Sequence, residues 1–251
     1  MRVVAAACVW LALWAWASML QGWAAAGAEE MQWRRVVVEE SWFKKSVLQT
    51  SQQLSSVTLC GAACMRHDWC RLWCRTAPTH CLLTSLIVSG SYQPSEAHDA
   101  LTCYTSRESE MAFGANITSS PGLDYGLPKN LVGGVYTNHF RSSSLVTSAT
   151  ESGGAWFLVD LGVSRTISEV LLIPHLRSGT TSKRFQDIEV KVGDVQEAGN
   201  FTSYTLLGTF KGPGMDGQEV TLRPHASITG RYVSIQRTSS GYLQIGHLEI
   251  R

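Results

Sequence analysis

Short apolar segments with the two-residue period of β-strands recur through the second half of the chain, and Gly, Pro or polar turns separate them. They start at roughly ten-residue intervals, a spacing that suits strands and leaves little room for helices. The segments are residues 156–161, 170–173, 188–192, 205–210, 219–222, 231–236 and 243–250. Seven or eight short strands with turns between them indicate an antiparallel β-sandwich. We expect no long helix after residue 114.

Residues 153–193 are the most informative part of this pattern. They contain the first three strand segments, which are rich in β-branched residues and end at Gly or Pro. A polar loop, residues 175–186, joins the second segment to the third and carries Arg177, Lys183 and Arg184. The stretch therefore predicts a buried pair of strands that presents a basic loop at one end, which is the outline of a binding platform.

The N-terminus has the pattern of a secretory signal peptide. Met1 and Arg2 precede an apolar run over residues 3–20, and Ala26 and Ala28 offer small residues for cleavage. An uncleaved membrane anchor is the alternative, because the run approaches spanning length. No second apolar run of that length follows. We expect residues 1–26 to be removed and the mature protein to be secreted, extracellular and not inserted in a membrane.

Six cysteines remain after the signal peptide, and all of them fall in one short region. They are Cys60, Cys64, Cys70, Cys74, Cys81 and Cys103. An even, clustered set in a secreted chain indicates a disulfide framework, although spacing alone leaves the pairing open. Zinc is the alternative, because two Cys-x3-Cys pairs resemble ligand spacings. Secretion favours the disulfides.

The segment CGAACMRHDWCRLWCRTAPTHCLL at residues 60–83 resembles the PAN/apple module, in which a helix bearing Cys-x3-Cys is joined to a small sheet by disulfides. A predicted helix over residues 56–65, capped by Ser55 or Ser56, fits the resemblance, with Leu59, Ala63 and Cys64 on its inner face. The resemblance covers residues 31–107 and implies a small disulfide-rich α+β domain at residues 27–109. It also implies the pairs Cys60–Cys81, Cys64–Cys70 and Cys74–Cys103.

Five motifs in the second half occur in the order seen in galactose-binding-like jelly rolls. They are AFGANITSS, AWFLVDLG, ISEVLLI, GRYVSIQ and LQIGHLEI. The branch they resemble most is the fucose-binding F-type lectins, with the discoidin domains as the wider family. The resemblance implies a jelly-roll β-sandwich over residues 110–251, so that the whole chain is mainly β. It also implies recognition of glycans or glycoproteins, including microbial surface sugars, in innate immunity or cell adhesion.

The sugar site of F-type lectins uses a His from one loop and two basic residues, spaced Arg-x-Asp-x4-Arg, from another. Arg177 and Arg184 keep that spacing, and guanidinium groups suit vicinal sugar hydroxyls because their N–H donors have fixed geometry. The Asp of the motif is Gly179 here, and the His falls near Ser148. The cysteine pair usual in that loop is replaced by Thr180 and Thr181.

His139 and His175 lie in or near the same loops and are the candidates to replace the missing His. The alternative interpretation of the loop arginines and histidines is ordinary surface charge and packing. It leaves a protein–protein adhesion module with a degenerate sugar site.

No cofactor is expected. The calcium ligands of the lectin family fall on Gly133 or Gly134 and on His247, and loss of two carboxylates weakens an oxygen-ligand site severely. Asn116 and Asn200 begin N-glycosylation sequons.

The charge and motif content of the chain exclude several functional classes. Formal net charge is +1 and only 16% of residues are charged, so neither nucleic acid nor an anionic membrane is an expected partner. The sequence contains no Gly-x-Ser-x-Gly, His-Glu-x-x-His or Gly-rich phosphate loop, and we do not expect an enzyme. The sequence does not predict an oligomeric state.

Overall fold

The computed structural model describes residues 32–46, 48–95, 99–137, 146–148, 154–174, 182–215 and 217–251. The chain divides into two compact units, Met1–Gln32 and Trp33–Arg251, and the fold below is that of the second unit. The predicted signal peptide lies outside the described residues. None of the helices in the described part is long and apolar enough to cross a membrane.

The first part of the larger unit is an antiparallel sheet of five strands with two helices. In chain order its elements are β1 (Arg34–Glu39), α1 (Glu40–Phe43), β2 (Gln49–Gln53), α2 (Val57–Met65), β3 (Leu72–Ala77), β4 (His80–Thr84), β5 (Ile87–Val88) and β6 (Ala100–Thr105). The strand order is β1-β6-β3-β4-β2, and β5 lies outside this sheet.

The helix predicted over residues 56–65 is confirmed as α2. Its N-cap is Ser56, whose Oγ accepts a hydrogen bond from the Leu59 backbone N–H at 3.1 Å. The prediction that Leu59 faces inward is wrong, since 48% of this residue is exposed. Cys60 and Cys64 are both tied into disulfides, so they set the inner face, and Leu59 points away from it because it lies one residue, about 100° of turn, before Cys60.

All six of these cysteines are in disulfides. The bonds are Cys60–Cys81, Cys64–Cys70 and Cys74–Cys103, the pairs that the PAN/apple resemblance implies. The first two connect α2 to β4 and to the turn before β3, and the third joins β3 to β6 at directly opposed positions. The zinc alternative does not hold for these sulfur atoms.

The second part is an antiparallel β-sandwich, as the strand pattern predicted. Its strands are β7 (Asn116–Ser119), β8 (Leu123–Tyr125), β9 (Val135–Tyr136), β10 (Val146–Ser148), β11 (Trp156–Ile167), β12 (Val170–Ile173), β13 (Ile188–Gly193), β14 (Thr205–Phe210), β15 (Val220–Leu222), β16 (Ile228–Arg237), β17 (Leu243–Ile245) and β18 (His247–Ile250). After β7 the described residues contain no α-helix, only 3₁₀ turns at Pro128–Val132 and Ser182–Arg184.

Three sheets build the sandwich. The largest has the order β14-β13-β16-β11-β7, and two smaller ones have the orders β15-β12-β18 and β17-β10-β8. One core cluster contains residues from all three, among them Phe157, Leu172 and Leu243, each 0% exposed. The sequence stretch that predicted a pair of strands around the basic loop was misleading on one point. β12 is buried along its whole length and β13 at alternate positions, and the two strands belong to different sheets.

The disulfide-bearing part and the sandwich are in direct contact. β5 pairs with β9 of the sandwich, with Ile87 opposite Tyr136 and Val88 opposite Val135. The backbone N–H of Ser89 donates to the Gly134 carbonyl at 2.8 Å. The assignment of residues 27–109 and 110–251 as separate domains stays a prediction.

Candidate functional site

The candidate site lies at the end of the sandwich where β16 turns into β17. There β17 pairs antiparallel with β10, and Leu243 stands opposite Ser148. Tyr242 immediately precedes this paired residue, and Gln244 follows it. The register therefore places the backbone of Ser148, one of the predicted site residues, beside both of these residues.

Arg184 is half-buried at the same end. Its guanidinium carbon lies 4.4 Å from the centroid of the Tyr242 ring, a cation–π arrangement. Its Nη1 donates to Oε1 of Gln244 at 3.4 Å. The structure thus brings Arg184 next to the β10–β17 pair that contains Ser148.

The position of Arg184 follows from the residue after it. Phe185 is completely buried in the core, and its ring centroid lies 5.3 Å from that of Phe210. The Phe185 carbonyl accepts a hydrogen bond from the Gly214 N–H at 2.8 Å. Because Phe185 is fixed inside the sandwich, the 3₁₀ turn that precedes it holds Arg184 at this end of the sandwich.

A short turn, residues 238–242, carries Tyr242 and borders the same site. Two other groups contact it: the Asp187 carbonyl accepts a hydrogen bond from the Thr238 N–H at 2.7 Å, and Arg237 donates to its far end. A hydrogen bond from Lys211 holds the pKa of the Asp187 carboxyl below its ordinary value, with a second one from Ser239. This carboxylate is therefore ionised close to Arg237.

The structure describes part of the predicted site. Arg184 is described with its side chain, and Ser148 by its place in β10. Arg177, His139 and His175 lie outside the described residues, so their convergence on Arg184 stays a prediction. Sequence reasoning did not select Tyr242 or Gln244. In the structure 40% of the surface of Tyr242 is exposed.

His247 stands at one of the two calcium-ligand positions that the lectin resemblance implies. His247 is fully buried in β18, and its Nε2 lies 3.1 Å from Oε1 of Glu249. The Glu249 carboxylate also binds the Arg251 guanidinium. Burial alone would raise the pKa of Glu249, but His247, Arg107 and Arg251 together hold it below its ordinary value. Calcium would have to displace His247 and Arg251 from this carboxylate.

Both sequon asparagines are exposed. Asn116 opens β7, which is an edge strand, and Asn200 lies in the turn between β13 and β14. Their glycosylation stays a prediction, to which the exposure presents no obstacle.

No protein-family model matches this sequence, and no curated protein matches it. Among solved structures, the chain is similar to the lectin domain of lectinolysin in complex with Lewis B antigen, at 18% identity and a TM-score of 0.47 over 57% of this chain and 95% of that one. A fucose-binding module from Streptococcus pneumoniae has 20% identity and a TM-score of 0.45, over 56% of this chain and 93% of the module.

An F-lectin from the serum of Morone saxatilis, the striped bass, has 15% identity and a TM-score of 0.48. That similarity covers 68% of this chain and 56% of the fish protein. Each of these similarities concerns the course of the backbone, and the sequence identity is low in every case.

Proposed function

We propose that the chain is a secreted carbohydrate-recognition protein that binds glycans, or glycoproteins through their sugars, at the Arg184 end of the sandwich. Microbial surface sugars are one source of such ligands. The proposal includes no catalytic step, and the protein acts by recognition alone.

The observation that carries the proposal is the placement of Arg184 against Tyr242 beside the β10–β17 pair. A guanidinium has several N–H donors in a rigid fork, which suits pairs of neighbouring hydroxyl groups on a sugar. An aromatic ring adds apolar surface and a phenolic hydroxyl next to those donors. The Arg-x6-Arg spacing and the motif order of the lectin resemblance support the same site.

The test is a glycan array probed with the mature chain and with the variants Arg177→Ala and Arg184→Ala. Loss of one charged hydrogen-bond donor costs about 1.5–3 kcal/mol, which lowers affinity roughly ten- to hundredfold. We expect each variant to lose detectable binding and Arg184→Lys to retain part of it. Because Arg184 is half-buried on the Tyr242 ring, its alanine variant should also lose up to about 1 kcal/mol of stability.

Arg165→Ala is the matched control. This exposed arginine lies in β11 opposite Gly230, toward the other end of the strand from Trp156 and Gln236. We expect it to bind glycans as the unmodified chain does. Normal binding by both site variants would contradict the assignment of the site.

Adhesion to another protein is the second candidate function, and one observation favours it. The Asp that would orient an arginine in the sugar site is Gly179 in this chain. In that case the correctly folded chain binds no glycan on the array, and the sandwich acts as a scaffold for contacts with proteins.

A further inference from the structure

Arg237 is a buried arginine directly under the turn that carries Tyr242. It is the last residue of β16, and only 7% of its surface is exposed. Burial lowers the pKa of its guanidinium, and the nearby Asp187 carboxylate opposes that shift. A buried cation is costly unless polar partners surround it, so its contacts indicate what it stabilises.

Those contacts close the turn at both ends. Nε donates to Oγ of Ser239 at 2.9 Å, near the start of the turn, and Nη1 donates to the carbonyl of Tyr242 at 2.7 Å, at its end. The backbone beneath the side chain is also fixed, because the Arg237 N–H donates to the Ala155 carbonyl at 2.9 Å. One side chain therefore spans the whole turn from a fixed base.

The backbone of the turn is shaped to admit this side chain. Gly241 has φ +116°, a conformation that other residues rarely adopt. A Cβ added at Gly241 would stand 3.1 Å from Nη1 of Arg237. The glycine thus leaves room for the guanidinium and permits the chain reversal that returns Tyr242 toward β17.

We propose that Arg237 is a positioning residue for the glycan site, holding turn 238–242 so that the Tyr242 ring supports Arg184 and Leu243 pairs with Ser148. It contacts no ligand and acts through Tyr242. The effect on glycan affinity rests on the proposed function, whereas the effect on the turn does not.

The role depends on the shape of the arginine side chain as well as on its charge. Two different nitrogens of one planar group serve two acceptors on opposite sides of the turn. Lysine has a single nitrogen on a flexible stem, and it cannot reproduce that fixed fork. Arg237→Lys therefore keeps the charge and removes the geometry.

The experiment compares Arg237→Lys with Arg231→Lys. Arg231 lies on the same strand, binds Asp160 through Nε and Nη2 at 2.7 and 2.8 Å, and stands 5.0 Å from the Tyr232 ring centroid. It is a second hydrogen-bonded arginine, away from the site and more exposed than Arg237. Glycan affinity and amide hydrogen exchange of residues 238–245 are measured for both variants, with thermal unfolding as a check on the fold.

We expect Arg237→Lys to weaken glycan binding by about tenfold or more, the consequence of losing one well-placed charged hydrogen bond. Exchange should accelerate in residues 238–245 and at Ser148, while the rest of the sandwich keeps its protection. Ser239→Ala, which removes the acceptor of Nε and also the hydrogen bond from Ser239 to the Asp187 carboxylate, should shift both measurements in the same direction by less. Arg231→Lys should change neither.

The outcomes separate this proposal from the function on which it partly rests. If the unmodified chain binds no glycan, the proposed function fails, and local exchange still decides the role of Arg237. Unchanged exchange in residues 238–245 would overturn the positioning role. Unchanged glycan affinity in both the Arg237→Lys and the Ser239→Ala variant would overturn it as well. Exchange that rises equally across the whole sandwich would also overturn it, because Arg237 would then be a general stability residue.

Discussion

Glu110 is a carboxyl group buried where the disulfide-bearing sheet meets the sandwich. Only 8% of it is exposed, and its Oε1 accepts a hydrogen bond from Ser89 Oγ at 3.3 Å, while its Oε2 accepts one from the Ala112 N–H. Burial raises the pKa of Glu110 to about 7, and the charge of Glu249 adds to the shift. The folded protein therefore binds this proton more tightly than the unfolded chain does, and the contribution of Glu110 to stability is lost as pH rises.

Glu110→Gln should remove this pH dependence. The group gives its full contribution below the unfolded pKa of 4.5 and loses it as pH rises through about 7. The variant should match the unmodified chain near pH 5 and exceed its stability at pH 8 by up to about 3 kcal/mol. Denaturant unfolding at the two pH values measures the difference. The exposed neighbour Glu108, changed to Gln, is the control, and equal pH slopes in all three proteins would contradict the prediction.

At the scale of single residues, sequence reasoning succeeded where chemistry is local. The Ser56 cap follows from its side chain, and the disulfide pairs agree with those implied by the PAN/apple cysteine pattern. Tyr242 and Arg237 were missed because their roles depend on a turn whose shape comes from contacts with Ala155 and Asp187, both far away in sequence. Spacing along the chain carries no signal of such contacts.

Strands were predictable where a run rich in apolar residues lies between turn signals, and they were missed where that pattern is absent. β12 and β14 were predicted with the bounds that the structure has, because apolar residues and turn signals mark them. β2, with the sequence QTSQQ, and β6, with ALTCYT, carry no such alternation, and they were not predicted. Each is held by pairing with a neighbour in the five-stranded sheet rather than by its own pattern. The assignment of β12 and β13 to different sheets also depends on which strands pair with each other, and the sequence pattern does not reveal this.

Strand β18 leads to a prediction about calcium. All four of its residues are buried, and its Glu249 is bound by His247 and Arg251. Arg251 also binds Glu169, so the carboxylates of this cluster already have cationic partners. Chelator or added calcium should therefore shift the melting temperature by less than about 1 °C, because a ligand stabilises only a fold that binds it. Differential scanning fluorimetry in both conditions measures this. Stabilisation by several degrees in calcium would contradict this prediction and would mean that the chain binds calcium through other residues.

At the scale of the whole molecule, the two parts share buried apolar surface. A core cluster around the disulfide-bearing sheet, which includes Val36 and Leu72, also contains Val135 of the sandwich, with Phe113 packed against it. Ile87 lies in another cluster with Leu171 and Ile173 of β12. Arg107 and Glu219 add an ion pair at 2.5 Å between the two parts. Two domains joined by a bare linker would show none of these contacts, so we expect one cooperative unit despite the change in composition near residue 110.

The last prediction follows from that shared core. Val135 is 2% exposed, lies in β9 opposite Val88, and contributes to the cluster of the disulfide-bearing part. Val135→Ala should lower the free energy of unfolding by about 2 kcal/mol, since it removes buried methyl groups. Hydrogen exchange should then increase by the same factor in β3 and in β13, one strand from each part, and calorimetry should show a single transition.

Val163→Ala, at a site 56% exposed, is the control and should change stability by less than about 0.5 kcal/mol. Two resolved transitions, of which only one moves in the Val135 variant, would mean that the parts unfold independently and that the β5–β9 contact contributes little to holding them together.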